Sequence, residues 1–161
     1  MSRIIPNENT WVGFTPTVAA TDLGSVTAAE MTAAIELHQW LISINASTQG
    51  NTVPTPSIDT LFETSIAGTV QASFTADFYR DDDNDLAWNT LPRSTSGFVL
   101  ISRFGGSGAG SNVPIAADPI EVWPILVVSR TNSNLSNNTV LTFTVTASVP
   151  REPNEDALVA A

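Results

Sequence analysis

VQASFTADFY, residues 70–79, decides the fold. Val70, Ala72, Phe74, Ala76 and Phe78 alternate with Gln71, Ser73, Thr75, Asp77 and Tyr79, the period of two that turns one set of side chains to a core and the other to water. Residues 140–149 repeat the device, with Leu141, Phe143, Val145, Ala147 and Val149 set against Thr142, Thr144, Thr146 and Ser148. Between them, residues 97–104 and 120–129 read as further strands separated by the glycine-rich run GGSGAGS, a flexible connection. Strands therefore dominate. The predicted class is mainly β, a β-sandwich or partly closed barrel with one or two short flanking α-helices, with Phe74, Phe78, Phe143 and Val145 in its core.

Helix signals are few. Thr27 and Glu30 form a capping box that starts a helix at Ala28. That helix runs to about Leu41, or else yields to a strand, because Ile35, Leu37, Gln39 and Leu41 also alternate. Asp81 to Asp85, followed by Leu86, Trp88 and Leu91, reads as a second short helix with an acidic first turn and with Trp88 packed on the sheet. Pro92 ends it. Asn45 to Asp59 is polar and broken by Gly50, Pro54 and Pro56, so it is expected to be the longest loop. Residues 1–25 read as an arm holding one short strand, 26–149 as the β domain, and 150–161 as a second arm extending away from it.

Composition excludes more than it selects. The 161 residues include no Cys, one His and no Lys, and only 14% are charged. Thiolate and multi-histidine metal sites are thereby ruled out, and so little charge suits a surface covered by hydroxyls, amides or neighbouring subunits. A formal charge of -10, with the six Arg scattered singly, argues against a protein that grips phosphates. The N-terminus lacks the apolar run of a signal peptide, and no stretch has the apolar length of a membrane span.

Three motifs imitate chemistry without completing it. Asp81, Asp82, Asp83 and Asp85 resemble the start of a calcium loop, but the sixth position is Leu86 instead of Gly and the twelfth is Pro92 instead of Glu, which favours a helix cap. Gly105, Gly106, Gly108 and Gly110 lack the following Lys-Ser/Thr of a phosphate loop. A hydrolytic triad would have to use His38, which has no nucleophile elbow near it. Neither catalytic residues, metal ligands nor a cofactor site are expected.

The tract FTADFYRDDDNDLAWNTLPRSTSGFVLISR, residues 74–103, resembles the central segment of major tail tube proteins of siphophages from actinobacterial hosts. Agreement continues through TAAEM at 27–31, IEVWPILV at 120–127 and TFTVTASVP at 142–150. One departure is Ala33 and Ala34 where a glycine would follow the first helix. The resemblance implies a structural protein forming six-membered rings that stack into a hollow tail in the virion, assembled in the host cytoplasm. Its implied partners are further copies of itself, a tape-measure protein, terminator and tail-tip proteins, and double-stranded DNA in transit. Within that frame Asp77, Glu121, Asp59 and Glu63 are candidates for the acidic lumen, and the segment holding Asn45, Gly50, Pro54 and Pro56 for contact between rings. The rival reading is a capsid-decoration or adhesion module; the tube of a phage-derived injection system would share the fold.

Overall fold

The structure, a computed structural model, describes residues 10–19, 22–55, 64–108 and 112–161. Within them the chain forms β1 (Trp11–Thr15), α1 (Ala28–Ala33), β2 (Ile35–Glu36), β3 (Leu41–Thr55), β4 (Thr64–Tyr79), α2 (Leu86–Thr90), β5 (Ser96–Ser102), β6 (Pro119–Asn132), β7 (Thr142–Ser148) and β8 (Asn154–Leu158). The strands make one antiparallel sheet in the order β2-β1-β5-β6-β7-β4-β3, with β8 on β6. The sheet stays open between β2 and β3. It curls around a core in which Phe74 and Phe78 of β4, Phe143 and Val145 of β7, Trp123 and Ile125 of β6, Ile101 of β5 and Phe14 of β1 are buried together. Phe78 stacks on Phe143 at 5.3 Å between ring centroids.

The strand sequences differ because the two halves of the sheet are covered differently. β1, β5 and the first half of β6, residues 120–125, are mostly apolar because both of their faces are covered there, whereas residues 126–132 of β6 are largely exposed. Their second face supports a smaller core, where Trp11, Leu100, Ile120 and Val122 meet Met31 of α1, Ala157 of β8 and Val159. β4 and β7 alternate because their second face meets water. Gly13 allows the Trp11 ring to fold over the strand: a Cβ there would lie 2.3 Å from that ring.

The capping box at the start of α1 is present, with Thr27 Oγ1 accepting from the Glu30 N–H and Glu30 Oε2 accepting from the Thr27 N–H at 2.8 Å. The helix is only six residues long. Ile35 and Glu36 leave it to pair with Phe14 and Gly13, so strand pairing prevails over helix propensity.

Four expectations need correction. The segment expected to be the longest loop is strand as far as Thr55, paired with β4 from Leu41↔Phe78 to Thr55↔Thr64, with irregular register at two points. Its polar sequence hides a strand because most of its side chains are exposed, and Pro54 is tolerated because β3 is an edge. α2 has no acidic first turn and no side-chain cap. Asp85 instead binds Arg80, and Asp81 Oδ1 accepts from the N–H groups of Asp83 and Asn84 in the turn before the helix. The C-terminal residues do not extend away: β8 pairs with β6, Ala160 exchanges backbone hydrogen bonds with Val26 and Ala28, and Val159 with Ala117 and Asp118. The glycine-rich connection, in its described part, is stapled. Asp118 Oδ2 accepts from Ser107 N–H at 2.9 Å and Ile115 N–H at 2.8 Å, and a Cβ at Gly106 would meet the Val113 carbonyl oxygen at 2.1 Å.

Candidate functional site

The outer face of β6, β7, β4 and β3 is a continuous polar surface. Cross-strand register sets Thr131, Thr144, Asp77 and Ser43 in one row, and Ser129, Thr146, Thr75 and Asn45 in the next. Ser148, Ser73 and Ser47 follow, with Leu126 at the β6 end, and Gln71 and Gln49 extend the face along the hairpin. Asp77 is its one ionised group among these residues. The carboxylate accepts from Thr144 Oγ1 at 2.5 Å and Ser43 Oγ at 2.7 Å, tying three strands together. These bonds, Thr144's first, hold its pKa below the usual carboxylate value. Ser47 and Ser73 hydroxyls meet at 3.1 Å.

Such a face has acceptors, rotatable hydroxyls and amides, but no cation. It can stay wetted against a polyanion without holding it, since phosphate retention requires Lys or Arg.

Glu121 lies elsewhere. It shares the face of Trp123, whose indole N–H donates to its Oε2 at 3.1 Å, and it pairs with Arg103 through two charge-assisted bonds. Asp77 and Glu121 are therefore on opposite faces of the sheet. Asp59, Glu63 and Pro56 fall outside the described residues. Asn45, Gly50 and Pro54 all belong to β3, Asn45 within the polar face and the other two in its distal part. That distal part, together with residues 65–70 of β4, forms a two-stranded ribbon that is largely exposed and carries Val53, Ile66 and Val70 at 46%, 58% and 64% exposure. Val53 and Ile66 are direct cross-strand partners.

Phe74, Phe78, Phe143 and Val145 are buried, whereas Trp88 is half-buried at the rim. Its ring meets Phe143 edge-on at 5.1 Å, with the Arg80 guanidinium 3.9 Å and the Arg130 guanidinium 3.8 Å from the ring centroid. Arg80 is neutralised by Asp85 at 2.6 Å. No sequence signal marks this arrangement, because its members come from the residue after β4, from α2 and from β6. The polar row on β3 did have a signal, since Ser43, Asn45, Ser47 and Gln49 alternate with Ile44, Ala46 and Thr48.

Acid should loosen the fold. Hydrogen bonds from the N–H groups of Ala19 and Thr27 depress the Glu30 pKa, the Thr144 and Ser43 hydroxyls depress that of Asp77, and for Asp118 the Ile115 and Ser107 N–H groups outweigh an opposing burial effect. A carboxylate depressed on folding contributes stability that is present above its unfolded pKa, about 4, and is lost as pH falls through the folded value. The thermal midpoint should therefore hold steady from neutrality down to about pH 5 and drop below about pH 4. Asp118→Asn should flatten that drop; a midpoint independent of pH down to about 2 would contradict the assignment.

An open, curled antiparallel sheet with one hydroxylic face and a projecting ribbon defines a mainly β protein. The family model for phage tail tube proteins matches residues 1–161, and the chain belongs to that family, a structural component of the virion tail and not an enzyme. Comparison with curated proteins gives no match. Among solved structures, the tail of an empty GTA particle, refined helically with C6 symmetry, is similar at TM-score 0.57 and 12% identity, over 93% of this chain and 97% of that one. A chain of the six-fold symmetrised anti-feeding prophage baseplate is similar at TM-score 0.56 and 13% identity, over 96% of both. At these identities the likeness is one of fold. No helix among the described residues is long and apolar enough to cross a membrane.

Proposed function

We propose that the chain polymerises as stacked six-membered rings into a hollow tail tube, with the polar face of β6, β7, β4 and β3 lining the channel that double-stranded DNA traverses. The observation that carries this reading is the composition of that face: four adjacent strands present hydroxyls and amides, one carboxylate and no cation. DNA in contact with it is offered water-exchangeable partners and repelled by Asp77, so it slides without specific binding. Six-fold symmetry in the similar GTA tail supports the ring number. A tape-measure protein inside the growing tube, and terminator and tip proteins at its ends, complete the set of partners, and assembly takes place in the host cytoplasm.

The ribbon is the natural contact between rings. A lone two-stranded hairpin is marginally stable in water, so one that exposes Val53, Ile66 and Val70 gains by being covered. Purified protein at high concentration should form tubes or rings in negative-stain electron microscopy, and featureless particles would contradict the proposal. Replacing Val53 and Ile66 together with Asp should abolish tubes while leaving the monomer's melting temperature nearly unchanged. Normal tubes from that variant would remove the ribbon from the interface.

A further inference from the structure

We propose that the ribbon pivots on the body of the subunit about a β-bulge in which Gly68 and Thr69 of β4 face Asn51 of β3. The use made of this joint rests on the ribbon contact proposed above, while the joint itself is a property of one chain.

The joint lies just past the ties that hold the hairpin to the body. β4 is flanked by both β3 and β7 only as far out as Ser73, which pairs with Ser148, and β3 is the edge of the sheet. Thr48 Oγ1 donates to Glu155 Oε1 at 3.0 Å, linking β3 to β8 shortly before Gly50. Among the described residues, no strand pairing farther out than Ser73 reaches a third strand. Residues 50–55 and 65–70 are exposed apart from Gly68, and none of them belongs to either core.

At that point the ladder breaks. Gly50 pairs with Val70 and Thr52 with Ala67, so one residue of β3 stands opposite two of β4. A bulge leaves its extra residue unpaired, bends the strand and disrupts the ladder locally. Glycine stands in both strands there. A Cβ on Gly50 would meet nothing within 4 Å, so no packing holds that position, and one on Gly68 would lie 3.0 Å from the Asn51 carbonyl oxygen, a close approach that suits glycine. Without a side chain to pack, glycine weakens a strand and widens the backbone conformations open to it. Past the bulge, regular pairing resumes at Thr52↔Ala67 and runs through Val53↔Ile66 to Thr55↔Thr64, so what turns is a paired unit.

Two other irregularities in the sheet show what a locked one looks like. Ser43, beside the shift at the start of β3, donates to Asp77 at 2.7 Å, and Val127, beside the shift in β6, exchanges backbone hydrogen bonds with Ser94 and Thr95. Both are clamped from outside their own strand pair. The shift between Gly50 and Thr52 has no clamp of that kind among the described residues, so it is the place where the hairpin yields first. Such a joint lets the ribbon present Val53 and Ile66 to a neighbour held at more than one angle.

The absence of cysteine lets spin labels be placed where they are wanted. In monomeric protein, labels on Ser129→Cys with Asn45→Cys span one cross-strand row of the body, and labels on Ser129→Cys with Ser65→Cys span the joint. Pulsed electron–electron resonance should give the second pair a distance distribution about twofold wider than the first, or more. Deleting Thr69 together with Gly50→Thr and Gly68→Thr restores one-to-one pairing between Val70 and Ala67, and should narrow the second distribution to the width of the first. Equal widths in the unaltered joint would overturn the proposal. So would a second distribution that stays as wide after the deletion, which is what a frayed ribbon gives. Both measurements are made on single chains, so failure of the protein to form tubes would remove the ribbon contact and leave the joint standing.

Discussion

Trp88→Ala is expected to destabilise the subunit by about 2 kcal/mol, below the cost of emptying a fully buried aromatic site. The indole is only half-buried, and the magnitude comes from its neighbours as much as from its area. Its edge-on contact with Phe143 closes the α2 end of the main core, and its faces hold the guanidiniums of Arg80 and Arg130. Each cation over the ring adds about 0.5–1 kcal/mol at such a site. Removing the ring leaves Arg130 without an aromatic face, although its Nη1 still donates to the Trp88 carbonyl at 2.7 Å. Urea unfolding of the monomer would measure the change, and Trp88→Phe should recover part of it. A loss below about 0.5 kcal/mol would show that the stack is ornamental to the fold.

Truncation after Pro150 is expected to cost more still, about 5 kcal/mol, which is of the order of a small domain's whole stability. The segment removed includes β8 and the buried Ala157 and Val159, at 2% and 3% exposure. A fully buried valine contributes about 1.5–3 kcal/mol, and each backbone hydrogen bond lost from Ala117, Asp118, Val26 and Ala28 about 1 kcal/mol. The truncated chain should therefore be recovered unfolded or aggregated, with no cooperative thermal transition. A folded truncation with an unchanged melting temperature and reduced tube yield would instead make the C-terminus an assembly arm.

That contrast marks what the sequence makes legible. β4 and β7 announce themselves because one face is wet and one is dry, so periodicity reports their environment directly. The capping box at Thr27 is likewise local, and local signals survive into the structure. β3 was hidden for the opposite reason: from Gln49 to Thr55 both faces are exposed, and a strand without a dry side carries no alternation. Residues 154–158, NEDAL, look like a polar tail because only Ala157 is buried in the strand; what holds them is the free edge of β6, and pairing across a chain end leaves no mark in composition. Asp77 was legible as a polar-face acid because its strand was. Glu121 was not, because the first half of β6 is covered on both sides and parity alone does not say which side it faces. The match of Arg80 and Arg130 to Trp88 depends on three separate segments meeting at a rim.

Charge gives the assembled object a property that the monomer lacks. Six chains of formal charge -10 would carry about -60 per ring. Screening at physiological salt limits the reach of that charge to about 8 Å, so the wall of the proposed tube would act as a non-stick lining and not as a barrier. In the proposed channel the lining charge would come from Asp77 beside the hydroxyl rows, since Glu121 is already neutralised by Arg103.

The central claim is the direction in which that polar face looks, and a cryo-EM map of tubes assembled from the purified chain measures it directly. The account predicts that Thr144, Asp77 and Ser43 face a water-filled lumen, repeated around six subunits, with the ribbon reaching the next ring. A map in which that face points outward or is buried between subunits, leaving the channel lined by other strands, would contradict it.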